Sequence, residues 1–408
     1  MNANLSHTAP APTPVPVPAL SATALPAEVG LCPQRIQHLI STLQSEVNRG
    51  RLPGAVLNVT RRGKAVVYEA LGQLNPASAV PMPKDAIFRI YSMTKPIVSV
   101  AVMMLIEQGR LLLSDSVAQH LPEYAGQSIS KDDGASRQAP RRPATVQDLL
   151  RHTAGLTYEF LGNAHAQRQY GQARIERRTR SNAEFSTLLA SLPLMFEPGS
   201  VWEYSRATDV LGRLVEVISG QTLGDFLQVH ILRPLGMVDT AFHVPPEHQD
   251  RIAEPFAHDP DGGVQMVVFN PLDRPALESG GGGLMSTTAD YGRFLHFMLN
   301  KGELDGVRLL SPHTVDFMTA DHLGNIPVSG TLLPEGHGFG LGFAIRTQAG
   351  VASVPGSVGL YYWGGMAGTT FFVDPKEDLF AVLMVQAPNQ RDYYRPLFRN
   401  LVYACLID

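Results

Sequence analysis

The hydrophobic pattern changes period several times along the chain. Ile36, Leu39, Ile40 and Leu43 recur at helical spacing from Cys32 to Arg49-Gly50, which predicts an amphipathic helix. Pro53-Gly54 breaks that pattern. The runs Ala55–Thr60 and Lys64–Glu69, joined by Arg61-Arg62-Gly63, then read as two strands of an antiparallel hairpin. From Ile97 to Ile106 the chain is apolar on all sides, as a buried helix is, and it stops at Gly109.

Between 114 and 270, short helical segments and loops alternate under frequent Pro and Gly. Thr145–Leu156 carries a Thr cap, a short helix and a glycine stop, and a longer helix runs from Ala207 through Val210, Leu211, Leu214, Val215 and Ile218 to Gly220. Strand patterns return at Gly338–Ile345, Tyr361–Gly365, Thr369–Val373 and Leu379–Val385. A closing helix over Arg391–Leu406 presents Leu397, Leu401 and Leu406 to whatever lies beneath. Strands at both ends around a helical middle predict an α/β fold of the α+β type, with one central antiparallel sheet flanked by helices. The expected division is a disordered Ala/Pro-rich tail over 1–28, a sheet domain from 29–113 and 271–408, and a mostly helical insertion over 114–270. The chain shows no internal repeats.

Composition narrows the class. A chain of 408 residues with 44% hydrophobic and 17% charged content builds a large core, which excludes disordered and fibrous proteins. A net charge of -4 provides no electrostatic case for nucleic acid or an anionic membrane. The cluster Arg174, Arg177, Arg178 and Arg180, interrupted by Glu176, reads as a solvated helix face. No apolar run near Ile97 approaches the roughly 20 residues of a membrane span. Residues 1–28 have neither a basic start nor a continuous apolar stretch, so no secretion signal is read there. Cys32 and Cys405 lie at opposite ends without disulfide or metal spacing. The expectation is a cytoplasmic protein with two reduced thiols.

Candidate chemistry begins at Ser92-Met93-Thr94-Lys95, where a serine and a lysine three residues apart lead into the apolar helix. A serine hydroxyl attacks an acyl carbon once a neighbour takes its proton, and a neutral lysine on the same face of the first turn is near enough to do so. The same spacing recurs at Ser128–Lys131, but there it leads into a polar loop that cannot bury the lysine. The turn Phe196–Arg206 delivers Tyr204 to the mouth of a helix; a phenol beside a lysine can share a proton with it and act as general base. His152, at a helix end, reads first as structural and second as a base. Neither an H-E-x-x-H motif nor an H-x-H cluster is present, which speaks against metallohydrolase chemistry, and no G-x-S-x-G elbow follows a strand.

Ser92-Met93-Thr94-Lys95, the His152–Leu156 segment and Tyr204-Ser205, in this order, resemble the serine hydrolases of the class C β-lactamase and DD-peptidase group. The closer resemblance is to their carboxylesterase branch, the family VIII esterases, over everything after the tail. It implies a β-lactamase/DD-peptidase-like fold, with Ser92 as acyl-accepting nucleophile, Lys95 as its proton partner and Tyr204 as base. Trp363-Gly364-Gly365 aligns with the group's third motif, Lys-Thr-Gly, so the backbone N–H groups of Ser92 and Met366 would form the oxyanion hole. Tyr158 and Asp209 match recurring positions near the pocket, a structural role for Asp209 being as ready as a direct one. Glu278–Thr287 resembles the group's glycine-rich segment and is expected to carry backbone close to the sheet.

Departures from the pattern favour the esterase branch. Trp363, Gly364 and Arg206 stand where the β-lactamases and peptidases carry the lysine and hydroxyl that bind a substrate carboxylate and the asparagine that holds its amide. A tryptophan wall suits an uncharged, apolar substrate, with Arg206 left as a cation for an acidic ligand. The expectation is therefore a serine carboxylesterase acting on short-chain or apolar esters, without metal or cofactor. A small-molecule ester is its only implied partner, with no nucleic acid and no membrane, and the oligomeric state is left open. The alternatives are a β-lactamase or D-amino-acid peptidase, an acyltransferase, and a non-catalytic scaffold of the same fold.

Overall fold

The central sheet is stitched from strands that lie far apart in the chain. In this computed structural model, which describes residues 24–408, the strands are β1 (Gly54–Arg61), β2 (Lys64–Asn75), β3 (Val80–Pro81), β4 (His337–Phe339), β5 (Ala344–Arg346), β6 (Tyr361–Gly364), β7 (Thr370–Asp374) and β8 (Leu379–Val385). Across the sheet they run β4-β5-β6-β7-β8-β1-β2-β3, each antiparallel to its neighbour. The join between the two halves is β1 on β8, from Ala55 opposite Val385 to Arg61 opposite Leu379. Gly338–Ile345, expected as one strand, is instead the β4–β5 hairpin. Gly342 turns it at φ +103°, where a Cβ would lie 2.3 Å from the Ser99 hydroxyl.

All eight residues of β1 are buried, because both faces of the sheet are covered. Side chains alternate across a strand, so Val56 enters one core while Ala55, Leu57 and Val59 enter another. The first core holds α2 (Thr94–Glu107), where every residue from Thr94 to Leu105 is buried, and α4 (Thr288–Leu299). The helix α3 (Ala207–Ser219), closed by Gly220 at φ +76°, packs on α2 from the 114–270 region. The second core lies beneath α1 (Pro33–Asn48) and α5 (Arg391–Ala404).

On α5 the buried stripe is Tyr394, Phe398 and Val402, at i, i+4 and i+8, while Leu397 and Leu401 are only partly buried, as is Leu406, which lies past the end of the helix and bridges to Leu31. Tyr394 and Phe398, each with more apolar surface to hide than a leucine, take the inward face in place of the expected leucines. Residues 1–23 of the expected tail lie outside the described residues. Pro26–Val29 forms a 3-10 turn, and Arg61 donates to the carbonyls of Val29 and Gly30 at 3.0 and 2.9 Å. The two cysteines meet across the chain: Cys32 N–H donates to Cys405 O at 2.8 Å, both thiols are free, and burial pushes the Cys405 thiol up to about 11. Among the described residues no helix is long and apolar enough to cross a membrane.

Asp290, in the first turn of α4, is buried; its carboxylate accepts from Asp239 N–H and the Thr240 hydroxyl, each at 2.8 Å. Burial outweighs those bonds and raises its pKa from 3.8 to about 7. The folded protein therefore keeps a proton that the unfolded chain gives up near pH 4. Stability should fall as pH rises from about 4 to about 7 and level off above, by at most about 4 kcal/mol. Asp290→Asn cannot ionise, so denaturant unfolding at pH 5 and pH 8 should show a smaller loss in that variant than in the wild type. An equal loss in both would assign the pH dependence to another group.

Candidate active site

Ser92 sits in a 3-10 turn, Tyr91–Met93, immediately before α2 rather than within the helix. Tyr91 has φ +43°, a left-handed backbone that costs a non-glycine residue about 1–2 kcal/mol. Neighbours hold it there. Ile90 N–H donates to Leu284 O at 3.1 Å, the Tyr291 hydroxyl donates to Met93 O at 2.9 Å, and the Tyr91 hydroxyl accepts from Phe269 N–H at 3.3 Å. The strained turn lifts the half-buried Ser92 into a cavity of about 990 Å³.

Lys95, only 1% exposed, lies in the first turn of α2 beneath that cavity. Its amine donates to Gly281 O at 2.7 Å and to the Tyr158 hydroxyl at 3.0 Å, and it lies 4.4 Å from the centroid of the Tyr204 ring. The phenol bonded to the lysine is thus Tyr158, not Tyr204 as expected. The Tyr204 hydroxyl instead accepts from Trp363 Nε1 at 3.2 Å. Burial, reinforced by Tyr204 and Asp209, pushes the Tyr158 phenol well above 10 and keeps it protonated. Among the described residues Ser92 Oγ has no hydrogen bond to Lys95 or Tyr204, a common state of a serine site without substrate.

Asp209 does not line the cavity. Buried behind it, it accepts from the Ser279 hydroxyl at 2.5 Å and Gly281 N–H at 3.0 Å, fixing the peptide whose carbonyl holds Lys95. The glycine-rich segment therefore serves the nucleophile turn rather than the sheet. A Cβ on Gly282 would lie 3.6 Å from Tyr91 C, and Met285-Ser286 pairs with Phe88-Arg89 just upstream of that turn. Arg206, expected as a free cation, is bound to Glu159 at 2.5 Å and lies 3.9 Å from Asp209. Burial lowers its pKa, but Glu159, Tyr158 and Asp209 more than reverse that, and the guanidinium stays charged.

His152 is buried, with Nδ1 3.1 Å from the Ser205 hydroxyl and its ring 5.0 Å from that of Tyr204. Burial and the Lys95 charge push it well below 6.5, so a neutral imidazole props the Tyr204 ring from behind. Trp363, at the end of β6, packs against Tyr204 at 5.1 Å and Phe339 at 5.5 Å. A Cβ on Gly365 would meet Ile90 O at 2.3 Å, so only glycine lets this strand end approach the nucleophile turn. Met366 follows, and it lines the same cavity as Ser92, Tyr158, Tyr204, Trp363 and Gly364.

Elsewhere the second Ser-x-x-Lys copy falls on a short surface strand with Lys131 exposed. The Arg174–Arg180 cluster lies in turns rather than on a helix, and Arg178 covers the Phe269 ring at 3.9 Å on the cavity wall. Sequence reasoning passed over Glu159, Arg395 and Arg399, which also line the cavity. Arginines at 391, 395 and 399 stand four apart on α5, so their shared helix face was a readable signal.

The family model described as Beta-lactamase matches residues 37–404. Esterase EstB of Burkholderia gladioli is 34% identical over 358 residues, spanning 82% of this chain and 86% of its own length. Lovastatin esterase of Penicillium rubens is 30% identical over 387 residues, spanning 85% of this chain and 92% of its own. Among solved structures, EstCE1, described as a hydrolase with promiscuous acyltransferase activity, superposes with a TM-score of 0.75 at 27% identity, over 91% of this chain and 99% of that one. The matched span runs from within α1 to the last residue of α5 and takes in every strand of the sheet: the chain belongs to the beta-lactamase family.

Proposed function

We propose that the protein is a serine carboxylesterase that works through an acyl-enzyme on Ser92. The observation that carries this reading is the setting of Ser92. Its turn opens into a cavity walled by Tyr158, Tyr204 and Trp363, with Lys95 buried directly beneath and no lysine at the third motif. The names of EstB and of the lovastatin esterase point the same way.

Ser92 Oγ attacks the ester carbonyl carbon as its proton passes to the Tyr204 phenolate, whose own proton is held by Lys95. The carbonyl oxygen gains the electron pair and is met by the N–H groups of Ser92 and Met366. When that pair returns, the alcohol leaves with the proton and the acyl group stays on Ser92. Water then gives its proton to the same phenolate as it attacks the acyl carbon, and the carboxylic acid departs as Ser92 takes that proton back. Tyr158 and Asp209 act through Lys95: one binds the amine directly, and the other fixes the Gly281 peptide.

The test is to treat the protein with a fluorophosphonate, map the adduct by peptide mass, and compare turnover of a short-chain nitrophenyl ester with that of a chromogenic cephalosporin. An adduct on Ser92 with faster ester turnover is expected. A folded protein that takes no label, or takes it elsewhere, overturns the reading, and faster cephalosporin turnover moves the protein to the lactamase branch. The likeness to EstCE1 and a cavity of about 990 Å³ favour acyl transfer to an alcohol as a second reading, visible as a new ester when alcohol is added.

A further inference from the structure

One wall of the cavity carries cations that no carboxylate answers. α5 directs Arg395 and Arg399, one helical turn apart, to the cavity, and His337 of β4 lines the same wall. Arg395 donates through Nη2 to Gly365 O, while its Nε is buried without a partner. Arg399 is 7% exposed and, among the described residues, has neither a hydrogen bond nor an ion pair. Its guanidinium only covers the rings of Tyr362 at 4.2 Å and Phe372 at 5.4 Å. His337 donates through Nδ1 to Glu335 O at 3.1 Å, and burial keeps the ring neutral, so its buried Nε2 is an acceptor and adds no donor to this wall.

The nearby acids are already engaged. Asp374 accepts from the Tyr403 hydroxyl, Ser357 N–H and Lys376 N–H. Asp392 faces solvent 3.9 Å from Arg391, and Glu159 is bound to Arg206. Arg346, the next cation, already donates to the carbonyls of Gln348 and Val354. Burial lowers the pKa of both helix arginines, that of Arg395 to about 10, which still leaves them charged near neutral pH. A buried charge without a counter-charge costs several kcal/mol, and orphaned donors aimed into a cavity are donors for a ligand.

We propose that this wall is an anion subsite and that the preferred ester carries a carboxylate gripped by Arg399 and flanked by Arg395 Nε. The ester half of this inference rests on the function proposed above. The carboxylate would sit about 6 Å along α5 from the point where Arg395 meets the Gly365 carbonyl, next to Met366. That reach separates the anion from the reacting carbonyl by a short linker. The charge missing at Trp363-Gly364 is thus supplied from the helix above, and the substrate is not the wholly apolar ester that the tryptophan alone suggests. Planar guanidinium against planar aromatic walls suits the two oxygens of a carboxylate.

Two matched pairs read the subsite and locate the anion. Mono-4-nitrophenyl glutarate against 4-nitrophenyl pentanoate places it on the acyl side; 4-acetoxybenzoate against 4-methylphenyl acetate places it on the alcohol side. In one pair the anionic ester should show kcat/KM about 10- to 100-fold above its neutral partner, the range of a charge-assisted bond. Arg399→Gln should lower that ratio about tenfold or more, and Arg399→Lys, which keeps the charge, should restore part of it. Ratios at or below one in both pairs, or a ratio that survives Arg399→Gln, overturn the subsite. If Arg399→Gln does not fold, Arg395→Gln is read in its place by the same criterion. If no ester is turned over, the esterase reading fails separately and the subsite is judged by free glutarate. A rise in Tm of the wild type that Arg399→Lys keeps and Arg399→Gln loses supports it, and no rise in the wild type overturns it.

Discussion

Replacing Ser92 by alanine is expected to lower ester turnover by about 10⁴-fold or more with little change in Tm. The size follows from the covalent step: without Oγ there is no atom to carry the acyl group, and water must attack unaided. The small cost in stability follows from the geometry. Ser92 Oγ holds no bond to Lys95 or Tyr204, and the Tyr91–Met93 turn is fixed by Ile90, Met93 and Tyr291 rather than by the serine side chain. The alanine variant should also take no fluorophosphonate label. Ester turnover within about tenfold of the wild type would show that another group is acylated.

Tyr204→Phe should lose about 10²- to 10⁴-fold in kcat/KM, the range of a missing general base. The phenylalanine ring keeps the contacts with His152, Tyr158 and Trp363 and gives up only Oη, whose recorded partner is Trp363 Nε1. A fall in activity at nearly constant Tm therefore reports chemistry rather than packing. Tyr158→Phe is the necessary companion, because it is Tyr158 that bonds the lysine amine. Removing that hydroxyl takes one of two acceptors from Lys95 and should cost less than the loss of Tyr204. The reverse order, measured side by side, would move the base from Tyr204 to Tyr158.

Much of this architecture was legible without coordinates. Leu379–Val385 reads as a strand with both ends in place, and Ala207 to Gly220 as a helix with its stop, because a short apolar run after a turn and helical spacing are local signals. Ser92, Lys95 and Tyr204 stood out since an apolar helix behind a Ser-x-x-Lys is unusual chemistry in an ordinary pattern. What escaped was decided by three-dimensional competition. Nothing near Tyr158, in an irregular loop, marks its hydroxyl as the partner of Lys95. Asp209 lies on an ordinary helix and gains meaning only because Gly281 comes to rest beside it. On α5 the leucines dominated the reading, although the aromatic stripe and the arginine face are what the second core and the cavity use.

The pairing of β1 with β8 bears on how the protein is made. Arg61 reaches Asp408, 347 residues on, at 2.6 Å, and the strand beside it cannot be covered on one flank until Leu379–Val385 has left the ribosome. During synthesis, then, an apolar edge waits for most of the chain to emerge, which makes late assembly and a need for chaperoning inherent in the topology. The same closeness of residues 30–32 to 405–408 means that the chain can be joined there by a short linker and reopened in an exposed loop. A variant so rewired would let β8 be translated next to β1, and its refolding yield against the natural order would measure how much that long wait costs.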